Sequence, residues 1–448
     1  MSMRLRGGYP ILAVVLAGCG TVHDTTLDDR RAAEVFGSIG AWYEGGDALP
    51  EPAAQDLQSY VRFGLLHNAG LRAAFHRWQA ALEVVPQVSE LPDPVFSYAH
   101  FVEELETRTG PQRQRFSLQQ TFPWFGVLQL RGEVAARQAD RLWWLVTAEQ
   151  LRVERAIKDA YYEYAYLAQA IRIGAENLQL LRRLEPVVQR GVRDGSSNQQ
   201  DLLRLQLEIG KLENDLESLR KYQPALSARL SAAMNRKATT TLPLPDPLEV
   251  VVTEVDVDEL AARAMRDNAE LAAMRKASDS ASTRADLADL ERWPDVTLGA
   301  DYFDTGAALL PGTPGSGDDP VALRVSFELP IWPAKYSAAV READRRSRAA
   351  RGVLHDRQNQ LRASLQQAAY ELDDAARQIA LYRDTLLPRA RQTYEVTQTS
   401  YRGSKATLLD VIDAERTLLV FEKSYWRAVS NYAKALAELQ VICGGEFR

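Results

Sequence analysis

The side chains able to do catalytic chemistry are few and scattered. Five histidines are present, His23, His67, His76, His100 and His355. None has the H-E-x-x-H partner that places two imidazoles on one helix face for a metal. A G-x-S-x-G elbow, a Walker A loop and a G-x-G-x-x-G turn are all missing from the sequence, so no nucleophile, phosphate or dinucleotide site is expected. The acidic pairs Glu103-Glu104 and Asp318-Asp319 fall at or beyond the ends of predicted strands, where solvated loop charge is their ordinary role. The expectation is therefore no enzyme, no catalytic residue, no metal site and no cofactor. Two cysteines, Cys19 and Cys443, cannot build a disulfide framework or a multi-cysteine metal site, and Cys443 is expected to be a bystander thiol.

Cys19 is different because of what precedes it. Arg4 and Arg6 lead into an apolar stretch from Ile11 to Leu16 that ends at Ala17 and Gly18, the layout of a secretory signal peptide over residues 1–18. The run Leu16-Ala17-Gly18-Cys19 resembles the lipobox of bacterial lipoproteins, which implies that Cys19 is acylated and becomes the first mature residue. Several acyl chains would hold the chain stably, each buried methylene contributing about 0.8 kcal/mol. Gly20 in place of an aspartate implies, by the same resemblance, sorting to the outer membrane. An ordinary signal peptide containing a chance cysteine fits less well, since this one sits where cleavage would occur.

The 448 residues carry 46% hydrophobic and 25% charged side chains and a net charge of -6, so the chain is foldable and has no general attraction for nucleic acid or anionic lipid. Removal of residues 1–18 takes away two arginines and no acids, which leaves -8. No run reaches the roughly 18 apolar residues of a spanning helix. If the chain crosses a bilayer, it must do so as strands.

The elements follow from the proline pattern. Between Gly126 and Arg193 only Pro186 interrupts, and between Ala334 and Arg402 only Pro388, in stretches rich in Ala, Leu, Arg, Glu and Gln. Each predicts a helix of about 68 residues, about 100 Å long. Shorter helical stretches flank them, Ala53–Val85 and Gln200–Met234 in one half, Val257–Leu290 and Thr407–Ile442 in the other. Two of about 34 residues match one of about 68, as antiparallel packing requires. Leu202, Leu205, Ile209, Leu212, Leu216 and Leu219 recur with the 3-4 spacing of a coiled-coil seam. Val411, Leu418, Tyr425, Tyr432 and Leu439 repeat every seven residues in the second half.

Four short extended segments lie among the helices, at about 94–103, 115–122, 295–303 and 321–329. In the last, Val321, Leu323, Val325, Phe327 and Leu329 alternate with Ala322, Arg324, Ser326 and Glu328. That period of two suits a transmembrane strand or a half-buried soluble one equally. Hairpin geometry gathers Phe122, Trp124, Phe125, Trp293 and Trp332 at one edge, and Phe101, Tyr302 and Phe303 toward the other. Two aromatic levels predict membrane-interface girdles; aromatics covering a helix-to-strand turn would look the same.

These features together resemble the TolC-like outer-membrane factor family, the exit ducts of tripartite efflux and type I secretion systems. The resemblance rests on Thr121-Phe122-Pro123-Trp124-Phe125-Gly126 and Glu328-Leu329-Pro330-Ile331-Trp332-Pro333. It rests also on Gly195-Ser196 before Asp201-Leu202-Leu203, and Gly403-Ser404 before Asp410-Val411-Ile412. It implies a mainly α fold with a small β part: antiparallel coiled-coil helices building a periplasmic α-barrel, plus four strands per chain in a shared β-barrel. The expected organisation is a lipid-anchored segment at 19–52, repeats at 53–242 and 257–448, and a linker at 243–256. A homotrimer is implied, with outer-membrane lipid, a periplasmic adaptor (membrane fusion) protein and an inner-membrane pump of the RND type as partners. Independently, four strands cannot close a membrane barrel of at least about eight, so chains must share one.

The turns Gly195-Ser196 and Gly403-Ser404 sit where the long helices reverse. Their glycines are expected to take positive φ and their serines to cap the next helix, and as exposed backbone at the far end they are the expected adaptor-docking surface. Asp194, Asp201 and Glu395 are weaker candidates for acidic groups near a constriction. Two other readings compete: a periplasmic coiled-coil structural or adaptor lipoprotein without a pore, and a secreted toxin. The strand hairpins argue against the first and the lipobox against the second. The cargo, metal ion or drug, stays open.

Overall fold

The computed structural model describes residues 56–195, 197–237, 241–253 and 255–446. Cys19, the signal segment 1–18, the anchored segment 19–52 and Ser196 lie outside the described residues. In chain order the elements are α1 (Leu57–His67), α2 (Ala69–Leu82), α3 (Val84–Ser89), β1 (Val95–Leu105), β2 (Gln112–Phe122), α4 (Val127–Arg193) and α5 (Gln199–Ala233). The plan then repeats: α6 (Val257–Asp267), α7 (Ala269–Leu290), β3 (Val296–Thr305), β4 (Val321–Phe327), α8 (Pro333–Leu381), a π-helical turn (Tyr382–Leu386), α9 (Leu387–Arg402) and α10 (Leu408–Ile442).

The expected single helices over 53–85 and 257–290 are broken, and by the same residue. Asn68 and Asn268 take extended backbone conformations, φ -69 and ψ 114 at the first, φ -61 and ψ 122 at the second. Each closes one helix with its N–H, to Gly64 O and Ala264 O. Each then opens the next with its side chain, whose Oδ1 accepts from Leu71 N (2.9 Å) and Leu271 N (3.0 Å). A short amide that bonds nearby backbone competes with helix continuation.

Two compact units result, and each draws on both sequence halves. The first comprises Leu82–Ala136 and Thr283–Ala343. Within it β1-β2-β3-β4 form one antiparallel sheet in that order, leaving β1 and β4 as edges with no neighbour among the described residues. The second contains residues 56–81, 137–282 and 344–446 and is helical. The repeats 53–242 and 257–448 are thus units of sequence, while the sheet needs one hairpin from each.

In the helical unit Val146, Val153, Ala160, Leu167, Gly174, Leu181 and Val188 of α4 are all buried. That seven-residue recurrence matches the seam of α5, where Leu205, Ile209, Leu212 and Leu216 are buried, and selects left-handed supercoiled packing. The second long helix keeps a similar seam through Leu365, Leu372 and Ile379, then through Leu387 and Tyr394. Ile379 to Leu387 is one residue longer than a heptad, and the π turn at Tyr382–Leu386 absorbs the extra residue. Pro388 lies just beyond it. A proline can neither donate to the carbonyl four residues back nor tolerate its approach, and a local π turn relieves that clash. The linker and the residue that precedes it are strapped to this unit: Tyr164 Oη donates to Leu242 O (2.5 Å), and Thr253 N donates to Tyr432 Oη (3.0 Å).

Candidate functional site

The sheet has two chemically opposite faces. Side chains alternate along a strand and paired residues share a face, so the register places Val296, Leu298, Ala300 and Tyr302 beside Phe122, Gln120, Leu118 and Phe116 on one side and beside Phe327, Val325, Leu323 and Val321 on the other. Phe96 and Tyr98 extend this face through their pairing with Leu118 and Phe116. Over these pairs the face is apolar except for Gln120, and His100, Gln114 and Asp304 follow at one end of the same register. The other face carries Arg115, Ser117, Gln119, Thr121, Thr297, Asp301, Arg324 and Ser326. Leu323 is 85% exposed and Val325 58%. An aliphatic side chain left in water forgoes about 1.5–3 kcal/mol, so this face suits an apolar solvent.

On the polar face Asp301 is buried between two arginines. Arg115 donates to its Oδ1 through Nε (3.1 Å) and Nη2 (2.8 Å), and Arg324 Nη2 donates to Oδ2 (2.5 Å). These bonds tie β2, β3 and β4 into one register. The carboxylate at β3 was not singled out from sequence, because its partners lie 186 and 23 residues away.

Aromatic side chains gather where β2 and β3 meet the helices. Trp124 and Trp293 stack at 5.2 Å with an interplanar angle of 13°, positioned by Trp124 N donating to Asp295 Oδ1 (3.1 Å). Phe125 packs on Trp124 at 5.7 Å and is itself 86% exposed, as Trp332 is at 69%. Phe122 ends β2 opposite Val296 on the apolar face. The second level needs a correction. Tyr302 faces the apolar side and stands in a ladder with Phe116 and Tyr98. Phe303, the next residue, points to the polar side and lies under Arg115 at 5.5 Å. Consecutive strand residues cannot share a face.

The acidic pairs are also more engaged than solvated loop charges. Glu103 and Glu104 belong to β1, and Glu104 pairs with Arg113 at 3.2 Å. Asp319 accepts from Tyr302 Oη (2.5 Å) and Thr305 N (2.8 Å), closing the end of β3.

In the helical unit the two reversals come together. Ser197 Oγ lies 3.5 Å from Tyr401 Oη, and one core below them draws on four helices: Leu181 and Val188 of α4, Leu205 and Ile209 of α5, Tyr394 of α9 and Val411 of α10. Gly195 takes φ +75 with open space around it. Gly403 does not follow: its φ is -88, and Ser404 carries the positive φ of 57 instead. Nor does Ser404 cap the next helix. Thr407 does, in a reciprocal capping box with Asp410. A serine three residues before the N-cap is too early to reach the helix's first N–H groups.

Asp194 and Glu395 are exposed, and Asp201 is half-buried in the first turn of α5. The acid that sequence reasoning missed is Glu415. It is 1% exposed among the four helices, with no partner for Oε1. Burial first, then the nearby Glu208 carboxylate, pushes its pKa up to about 7. Periodicity does not mark it, because it falls one residue past Ala414, beside the heptad seam of Val411 and Leu418. Cys443 is fully buried, and burial raises its thiol to about 11.

Residues 260–445 match the model of the outer membrane efflux protein family. The chain carries this family's match over its second half. It is 23% identical to a nodulation protein T of Rhizobium leguminosarum bv. trifolii over 98% of this chain and 97% of that one. The outer membrane protein VceC of Vibrio cholerae has a similar fold, with a TM-score of 0.70 at 19% identity over 88% of this chain and 97% of that one. So does the Neisseria gonorrhoeae MtrE outer membrane channel in its open state, at TM-score 0.69, 17% identity, and 87% and 89% coverage.

Proposed function

We propose that this protein is the passive exit duct of a tripartite system, working as a homotrimer whose three sheets close one twelve-stranded barrel. One observation carries the reading: a four-stranded sheet with an apolar face, a polar face and two unpaired edges. In lipid an open edge leaves backbone groups unsatisfied, so β1 of one chain pairs with β4 of the next. The polar faces then line a channel. A coiled-coil adaptor or a structural lipoprotein has no need of such a sheet.

An inner-membrane pump of the RND type, reached through a periplasmic adaptor, drives transport through the passive duct. The adaptor docks on the paired turns at Gly195-Ser196 and Gly403-Ser404. Asp194, Asp201 and Glu395, on the chain segments flanking these turns, are the acids assigned to a constriction. Cys19 carries the lipid that fixes the trimer to the outer membrane, with Phe122, Trp124, Phe125, Trp293 and Trp332 at the membrane–water boundary. No catalytic role is assigned. Native mass measurement of detergent-extracted protein tests the assembly: a trimer is expected, and a stable monomer would overturn the shared barrel.

A further inference from the structure

We propose that Arg115, Asp301 and Arg324 form a charge-selective belt in the channel, carrying one net positive charge per chain and favouring anionic solutes. The inference rests on the trimeric duct reading, in which the polar sheet faces surround the conducting path and three such clusters make one ring.

The cluster holds two guanidinium groups against one carboxylate. Asp301 is 5% exposed at its side chain and is spent on its partners, whereas Arg115 and Arg324 stay 34% and 42% exposed. Asp301 engages two N–H groups of Arg115 and one of Arg324, and each guanidinium has more donors than that. The donors left over lie on the polar face. Phe303 beneath Arg115 (5.5 Å) holds that group in place.

Other charges on the sheet do not cancel the belt locally. Asp295 precedes Asp301 by six strand positions, about 20 Å, and Glu328 follows Arg324 by four, about 13 Å. Both distances exceed the screening length of about 8 Å at physiological salt. Toward the other end Arg113 is neutralised by Glu104 at 3.2 Å. Asp304 pairs with Gln114 in the register of the apolar face. Glu103 of β1 follows Ala99, the partner of Arg115, by four strand positions, about 13 Å, and Thr121, Thr297, Gln119 and Ser326 on the remaining polar face are uncharged. A narrow conduit walled by low-dielectric material focuses such a fixed charge.

The belt also locks three strands together, and the test must separate that role from selectivity. Full-length trimers are placed in planar bilayers of neutral lipid under a KCl gradient, and the reversal potential is read. Asp194, Asp201 and Glu395 are unchanged in every variant, so the belt is read from the difference in chloride-to-potassium permeability between wild type and variant. Arg324→Gln should lower the chloride-to-potassium permeability ratio by about twofold or more, Asp301→Asn should raise it, and Arg324→Lys, which keeps charge but loses the guanidinium geometry, should stay near wild type. A conducting pore whose reversal potential is the same in wild type and Arg324→Gln overturns the belt, as does a loss of selectivity in Arg324→Lys equal to that in Arg324→Gln. Wild-type trimers that pass no current would instead overturn the duct reading beneath it.

Discussion

Glu415 lets the pH response of the helical turns be worked out in advance. Its carboxyl sits among Val411, Leu418 and Tyr394 with Oε1 unpartnered. Glu208 and Glu422 oppose its ionisation, while Arg416 and Lys423 favour it. Arg416 is already committed to Glu208, with Nε 2.9 Å from Oε1. The pKa rises from 4.5 to about 7, and each unit is worth about 1.4 kcal/mol. When this core opens, the carboxyl returns to its ordinary value and releases a proton above pH 4.5. The closed core therefore holds more protons, and its stability falls as pH climbs from about 4.5 to about 7, then levels off. Between pH 5 and pH 8 the loss should be about 2–3 kcal/mol. Amide hydrogen exchange of α9 and the first turns of α10, corrected for intrinsic rates, reads this local opening. Glu415→Gln cannot ionise and should show little pH dependence. If wild type and Glu415→Gln lose protection in parallel with rising pH, the carboxyl is not the source and the burial argument fails.

Val325 lies on the apolar sheet face and is 58% exposed in one chain; Val325→Arg should weaken trimer assembly by about 2 kcal/mol or more at mid-bilayer depth, measured as the trimer fraction after extraction, while Ser326→Arg on the polar face should not. Gly195 and Gly403 differ as test sites. A side chain at Gly195 meets a positive φ, costing about 1–2 kcal/mol, whereas at Gly403 its Cβ would make ordinary contacts of 3.6 Å with Ser400 O. Gly403→Trp is thus the cleaner variant, and it should abolish export without changing trimer yield if the turn docks an adaptor. Cys19→Ala should block incorporation of a labelled fatty acid; a mature wild-type chain that takes up no label would remove the anchor from the proposal.

Periodicity carried most of what could be read without coordinates. The heptads of α4, α5 and α10 and the alternation in β4 are visible because the chain writes its buried face at a fixed interval. The proline clusters mark where those intervals end. The repeated Asn68-Ala69 and Asn268-Ala269 were equally visible, and a search for internal repeats would have located both helix breaks. Other features depend on pairing between distant segments. Asp301 becomes a charge centre only when β2 and β4 deliver an arginine to each side of it. Phe303 leaves the outer aromatic level because register and pleat turn it toward Arg115. The positive φ falls on Ser404 rather than Gly403 because a helix's last hydrogen bonds, and not residue type alone, decide where the backbone reverses. Glu415 reads from sequence as one more helix-surface acid, and only the packing of four helices around it removes its water. Composition and spacing determined which elements form and which faces they bury; the tertiary structure decided which charges meet, because electrostatic environment is set by neighbours in space.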